Sequence, residues 1–537
     1  MATAQDLNLS RYSSNPQAAP GWKLERVIGP SRVYGANGMR FGPDGLLYVA
    51  QCFGNEISAF DITSGARKNI SRNGDPVKAP DDLVFDSRGL LYVTEFLNAR
   101  VSTITPEGKA EVLIADVPGA NGITIFRDRI FMDECRPEAR VVELFRDGRA
   151  PKILAQGLDL ANALSVGPDE MLYFPQLAKG EVCRVSPDGG PLERLVDGLA
   201  VPTAVKFDNH GFLLVIQAYT GEVSRVDIQT RQISRVAMLP PGLDNLVVTP
   251  DDHIFISNFI DGTINEVLPD GSVRNFLPPG MSGPTGVACT EDGRIYTADF
   301  MAILKVVGQG KWERVGWSFD PEFPGFLRDL CAGPGNLLYT TTLLGNLTAY
   351  DTVTHACTVL CTGLDIPYGL SRTPSGALVA AEYGGGRVIE VDQGGKAKVL
   401  ARGLNQPTGV AVAGDGSCFV AETGNRRVVQ INGGVTPVLE GLDRPEGLAV
   451  CGDDLVVVDA GAKQLLAISL RDKKSRILAS SLPVGCPPGV APKALSGVPG
   501  FLPGPILPFA GVAAGSDGTI YLSADGEGSI MALKPER

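Results

Sequence analysis

Residues 407–433 read PTGVAVAGDGSCFVAETGNRRVVQING, and this stretch decides the fold. Pro407-Thr408-Gly409 opens it, and Val410 and Val412 then alternate with small residues, the mark of a strand with one buried face. Ala413–Gly416 is a hairpin turn, because Asp-Gly supplies the positive φ that a tight turn needs. A second strand is expected over Cys418–Ala421, followed by a polar break at Glu422–Asn425. A third strand over Arg427–Ile431 and a fourth over Val435–Glu440 complete the unit. One such unit cannot bury its own faces, so it requires neighbours of the same kind.

The neighbours are in the chain. Alignment on the residue before the first-strand glycine, or its substitute, gives Asn37, Asp81, Asn121, Asn162, Thr203, Asp244, Thr285, Arg328, Tyr368, Thr408, Glu446 and Ala510. Their spacings are 44, 40, 41, 41, 41, 41, 43, 40, 40, 38 and 64 residues. A period of about 40 with four strands per unit predicts an all-β chain of β-propeller blades. Twelve blades exceed the usual ring of about 4–8, so the repeat predicts two tandem six-bladed propellers.

Trp22–Ile28 resembles an outer strand that arrives before its own blade, and Ser272–Leu277 does the same at mid-chain. The expected organisation is therefore an N-terminal arm (1–21) without structure, ring one over 22–270, and ring two over 271–537. Each ring would close on its leading outer strand. Residues 480–508 interrupt the last repeat with a Pro- and Gly-rich segment whose single charge is Lys493. A lid, a packing surface for the other ring, and loop drift all suit it.

The formal net charge is −12 and no basic stripe appears, which disfavours nucleic acid and anionic membranes as partners. No apolar run approaches a membrane span, and the N-terminus lacks the pattern of an export signal. The ten cysteines then read as reduced thiols, and the expected location is cytoplasmic. The expected partner is a small-molecule substrate.

Loops entering the first strand and loops leaving the second share one rim of a propeller. In ring one they carry Asn37, Asp81, Asn121, Asn162, Thr203 and Asp244, and Gln51, Glu95, Glu134, Gln176, Gln217 and Asn258. All twelve are polar. Carboxylate and amide oxygens converging from several strands suit a hard divalent cation. The competing reading is that the second set bonds the backbone, because Glu382 and Glu422 repeat it in ring two. The first set is read as the metal site. His210, His253 and His355 lie on turns away from this rim, so acid–base work falls to carboxylates. In ring two, Arg328, Tyr368 and Glu446 do not make a cation cage; they read as an Arg–Glu plug or as a carboxylate-binding site.

With their Asn-Gly and Asp-Asn starts, these repeats resemble the six-bladed gluconolactonase and paraoxonase-like propellers. The second ring is similar to NHL-type repeats. The resemblance implies a central cation held by an acidic residue, two asparagines and an aspartate. Asn121, Asn162 and Asp244 match the last three, and Asn245 matches an additional asparagine of the paraoxonase-like branch. The acidic position is not matched; Asn37 stands there, and Asp81 can restore the charge. The implied metal residues are thus Asn37, Asp81, Asn121, Asn162 and Asp244, with Ca²⁺ first and Mg²⁺, Mn²⁺ or Zn²⁺ as alternatives. Asp81, Glu134 and Asp244 are the candidate catalytic residues. The expected function is a metal-dependent hydrolase that opens a lactone, ester or related activated carbonyl. A non-catalytic protein-binding scaffold and a metal-dependent carbon–carbon hydrolase or lyase are the alternatives.

Overall fold

Gly409 explains why the repeat needs its first glycine. A Cβ there would lie 2.0 Å from the Glu446 carbonyl oxygen of the next blade, and one at Gly38 would lie 2.4 Å from Asp82 Oδ1. The inner strands converge until neighbouring backbones nearly touch, and only a hydrogen fits. The computed structural model, which describes residues 14–536, forms twelve blades of antiparallel strands around two such axes. The stretch at 407–440 forms Pro407–Val412, Cys418–Glu422, Arg427–Ile431 and Val435–Glu440. Each apolar cluster draws on adjacent blades. Ala411, Phe419 and Ala421, for example, pack on Leu448, Leu455 and Val457 of the following blade.

The molecule is therefore two six-bladed propellers, but the chain closes them in an unexpected order. Trp22–Ile28 pairs with Ser529–Pro535, from Trp22 opposite Pro535 to Ile28 opposite Ile530. It completes the last blade of ring two, not the first of ring one. Val273–Leu277 pairs with Ile264–Val267, so the strand expected to begin ring two ends ring one instead. The physical reason is proximity. A tight turn at Leu268–Gly271 returns the chain onto its own third strand, whereas the edge of Ser529–Pro535 is covered by Trp22–Ile28.

Ring one closes by contact between its first and sixth blades rather than by a blade of mixed origin. Met39, Leu47 and Phe60 of its first blade meet Phe255, Ile264 and Leu277 of its sixth, and Ser257 Oγ donates to the Asn37 carbonyl at 2.8 Å. The compact units follow this closure rather than the expected 22–270 and 271–537. One comprises 32–282 with 493–506; the other comprises the chain up to Ser31, Gly283–Pro492 and the chain from Leu507 onward.

The 480–508 segment carries a hairpin, Leu495–Val498 with Leu502–Ile506, which groups with ring one against the turn Phe96–Asn98. Of the N-terminal arm, residues 1–13 lie outside the described residues, while Gln17–Ala18 pairs with Ala479 and Ser480. No helix among the described residues is long and apolar enough to cross a membrane.

The closing strand of ring two is fastened by charge. Arg26 donates from Nε to Glu527 Oε1 at 2.6 Å and from Nη2 to Oε2 at 3.0 Å, and Glu527 is fully buried. Arg26→Ala should destabilise ring two by about 3 kcal/mol, because it leaves a buried carboxylate unpaired. All three tryptophans, Trp22, Trp312 and Trp317, belong to the ring-two unit, so their fluorescence reports its unfolding alone. The tryptophan transition should move to lower denaturant; an unchanged midpoint refutes the fastening role.

Candidate functional site

The rim of ring one is assembled by a hydrogen bond that recurs in blade after blade. The side chain ending the second strand accepts the N–H of the loop entering the first. Gln51 Oε1 takes Tyr34 N–H at 3.0 Å, Glu95 Oε2 takes Lys78 N–H at 2.7 Å, and Gln176 Oε1 takes Asp159 N–H at 2.9 Å. Gln217 takes Ala200 N–H at 2.7 Å, and Glu382 and Glu422 repeat the bond in ring two. Asn258 instead donates to the Pro241 carbonyl at 3.1 Å. Five of the six residues of the second set are therefore engaged with the backbone.

Glu134 is the sixth. It is fully buried and ion-paired to Arg136 at 2.8 Å and to Arg140. Both oxygens are held by guanidinium groups, so the expected role of Glu134 as a base is corrected to a structural ion pair. Glu95 is likewise paired, to Arg100 at 2.8 Å.

The first set behaves differently. Asp81 is buried, and desolvation followed by the charges of Asp244, Asp82 and Asp133 holds its carboxyl well above the ordinary 3.8. Burial first, then Asp82, pushes Asp244 up to about 7, against a hydrogen bond from Asn37. Among the described residues, the charges that act on the two groups are those of other carboxylates. Asp82 accepts Ile123 N–H at 3.0 Å and faces Asn245 Nδ2 at 3.5 Å, which ties blades two, three and six together.

The asparagines divide. Asn37 Oδ1 accepts Cys52 N–H at 3.0 Å and its side chain hydrogen-bonds Asp244, which orients that carboxylate. Asn162 Nδ2 faces Cys135 Sγ at 3.8 Å, which leaves Oδ1 for the channel. Asn121 Oδ1 takes only a long bond from Ala163 N–H, at 3.4 Å. Thr203 is spent on the Leu243 carbonyl at 2.9 Å.

No group of three or more His, Cys, Asp or Glu side chains arranged to hold a metal occurs among the described residues. The donors present are two carboxylates with amide oxygens, a hard-oxygen set that fits Ca²⁺ or Mg²⁺ better than Zn²⁺.

Sequence reasoning missed Asp133, Arg40 and Lys206. Asp133 accepts Gly122 N–H at 2.8 Å and Leu164 N–H at 3.0 Å, and burial pushes it up to about 8. Burial and Arg40 depress Lys206 to about 7. The available signal was a long cation on an innermost strand, where most blades carry a short or apolar residue.

The histidines lie outside this cluster. His253 Nδ1 meets Glu266 at 2.6 Å, His210 meets Asp252 at 3.0 Å, and His355 meets the Tyr350 hydroxyl at 2.9 Å. In ring two the expected Arg328–Glu446 pair is replaced. Arg444 donates to Glu446 at 2.5 Å, and Arg328 lies 4.5 Å over the Tyr368 ring.

No family model matches the chain. A gluconolactonase of Zymomonas mobilis subsp. mobilis is 30% identical over 148 residues, 27% of this chain and 34% of that protein. The chain thus spans about a third of the length of that curated relative. Among solved structures, a streptogramin B lyase is 20% identical with a TM-score of 0.39, over 52% of this chain and 94% of its own. The extracellular domain of a one-component system from B. thetaiotaomicron is 9% identical with a TM-score of 0.34, over 96% of this chain and 82% of its own.

The titrations predict a pH response. Asp244 and Asp133 bind protons more tightly folded than unfolded, so the folded chain holds the excess between about pH 4 and 8. Their contribution to stability is present at the acid end and lost as pH rises through about 7 to 8. Above pH 7 the depressed Lys206 opposes this loss, because the unfolded chain keeps its proton longer. Chelator-treated protein should show a ring-one melting temperature that falls from pH 5 to pH 8 by calorimetry. A rising one refutes the assignment.

Proposed function

We propose that ring one is the active unit of a hydrolase that opens a lactone or a related ester with the help of a divalent cation. The observation that carries this reading is the pair Asp81 and Asp244. Two carboxylates are buried together beside amide oxygens, and the charges that act on them most are further carboxylates. Proteins leave such an arrangement standing where a bound cation supplies the missing charge. The partial likeness to a gluconolactonase supports the same reading and suggests a sugar lactone as the first substrate to try.

Asp244, Asn121 and Asn162 would hold the cation, with Asn37 orienting Asp244. Bound there, the cation would polarise a carbonyl and ease deprotonation of a water. Asp81 is the chain's own proton acceptor. Burial and its carboxylate neighbours raise its proton affinity, which is what a base needs to work near neutral pH. Glu134 takes no part, because both of its oxygens serve arginines.

Elemental analysis of gel-filtered protein should find about one divalent cation per chain, removable by chelator together with hydrolysis of glucono-lactone. Asp244→Asn should lower both metal content and turnover, the latter by about 100-fold or more. Asp81→Asn should spare metal binding far better than turnover. Glu446→Gln, in ring two, should change neither. Undiminished hydrolysis by a chain kept free of Ca²⁺, Mg²⁺, Mn²⁺ and Zn²⁺ overturns the proposal.

A further inference from the structure

The two rings share a backbone register, and the layer three residues after each aligned inner position distinguishes them. In ring one that layer contains Arg40 and Lys206. Arg40 donates to the carbonyls of Leu83 at 3.2 Å and Ile123 at 3.5 Å, and Lys206 Nζ donates to that of Leu164 at 3.4 Å. The two cations reach the backbones of blades two, three and four and occupy this half of the channel.

In ring two the six equivalents are Ala288, Cys331, Ser371, Ala411, Ala449 and Ala513. Ala288 takes the place of Arg40, and Ala449 that of Lys206. All six line one cavity of 320 Å³, bounded toward the opposite rim by Phe509 and the backbones of Gly409, Gly447 and Gly511. The side-chain volume that ring one spends on its plug is open space here.

The cavity's polar groups are few, and most are engaged. Asp329 accepts Leu330 N–H at 2.9 Å and Leu370 N–H at 3.0 Å, and Ser371 Oγ accepts Val412 N–H at 3.1 Å. Arg372 differs. It ends an inner strand at the cavity wall, and its buried Nε has no hydrogen-bond partner among the described residues. A buried guanidinium N–H without an acceptor is costly, and the acceptor that matches its forked geometry is a carboxylate. The rest of the wall is alanine and valine side chains with exposed backbone between them, and the small side chains leave room for a short alkyl chain. Pockets for drug-sized ligands run from about 300 to 1,000 Å³, so this one suits a smaller molecule.

We propose that the channel of ring two is a second ligand site, for a small aliphatic monocarboxylate whose carboxylate meets Arg372 and whose chain fills the alanine-lined layer. The site stands apart from ring one and does not depend on the chemistry proposed there.

Titration calorimetry on the full chain tests it, with hexanoate as probe and hexanamide as its uncharged counterpart. Hexanoate should bind one per chain, about tenfold or more tighter than hexanamide. Arg372→Gln should weaken hexanoate about tenfold and leave hexanamide unchanged. Ala449→Leu or Ala411→Leu, filling the layer, should abolish binding of both. The tryptophan transition shows whether these variants fold; should the filling variants fail to, Arg372→Gln and the amide comparison decide. Absence of binding up to about 10 mM hexanoate overturns the site. So do equal affinities for acid and amide, or hexanoate binding unaffected by Arg372→Gln.

Discussion

The channel chemistry depends on one backbone bond, the N–H of each entering loop held by the side chain that ends the second strand. Gln51, Glu95, Gln176 and Gln217 all make it in ring one. Because these side chains are buried, an unmade bond would cost about 1–3 kcal/mol. The loops that deliver Asn37, Asp81, Asn162 and Thr203 to the axis are therefore fixed before any ligand arrives, and Asn258 holds the Asp244 loop by a different bond, to the Pro241 carbonyl. The same bond explains why a rim can be polar throughout without being a site throughout. One layer of polar residues is consumed in building the frame, and only the next layer inward is left for chemistry.

That distinction marks the limit of what the sequence reveals. The repeat, its strands and its turns are legible because a 40-residue period, Asp-Gly turns and first-strand glycines are local features. The inner position of Asp81 and Asp244 follows from the same register. Glu134 looks equivalent to them on the page, and only the fold brings Arg136 and Arg140 onto it. Asn37 is similar, since its amide is committed to Cys52 and Asp244 by contacts that spacing does not encode. Asp133 and Lys206 act from strand positions that read as core. Closure was misread for a related reason. Outer strands resemble one another, and nothing local in Trp22–Ile28 identifies a partner some 500 residues away.

The rings also show how one backbone supports different interiors. In ring one, acidic groups crowd one half of the axis and Arg40 and Lys206 fill the other, so opposite charges share a narrow column. Ring two pairs Arg444 with Glu446 and sets Arg328 over Tyr368, and lines its middle with small side chains. The difference lies in a handful of side chains on inner strands of equal geometry. Similarity of fold between the rings is thus no guide to similarity of task.

The order of closure has a consequence for how the chain is made. Along the chain, the six blades of ring one are consecutive and follow the first strand of ring two, Trp22–Ile28, before the rest of ring two begins. On a translating ribosome it can finish folding while ring two has only its earliest strand, Trp22–Ile28, already exposed. That strand must stay unpaired through the synthesis of some 500 further residues until Ser529–Pro535 emerges. Loop-closure entropy grows only slowly with length, so the final docking remains affordable at equilibrium. The hazard is kinetic, because an apolar edge strand left open through translation invites the wrong partner. The charges spaced along it, Lys23, Glu25 and Arg26, protect the interval before the ring can shut.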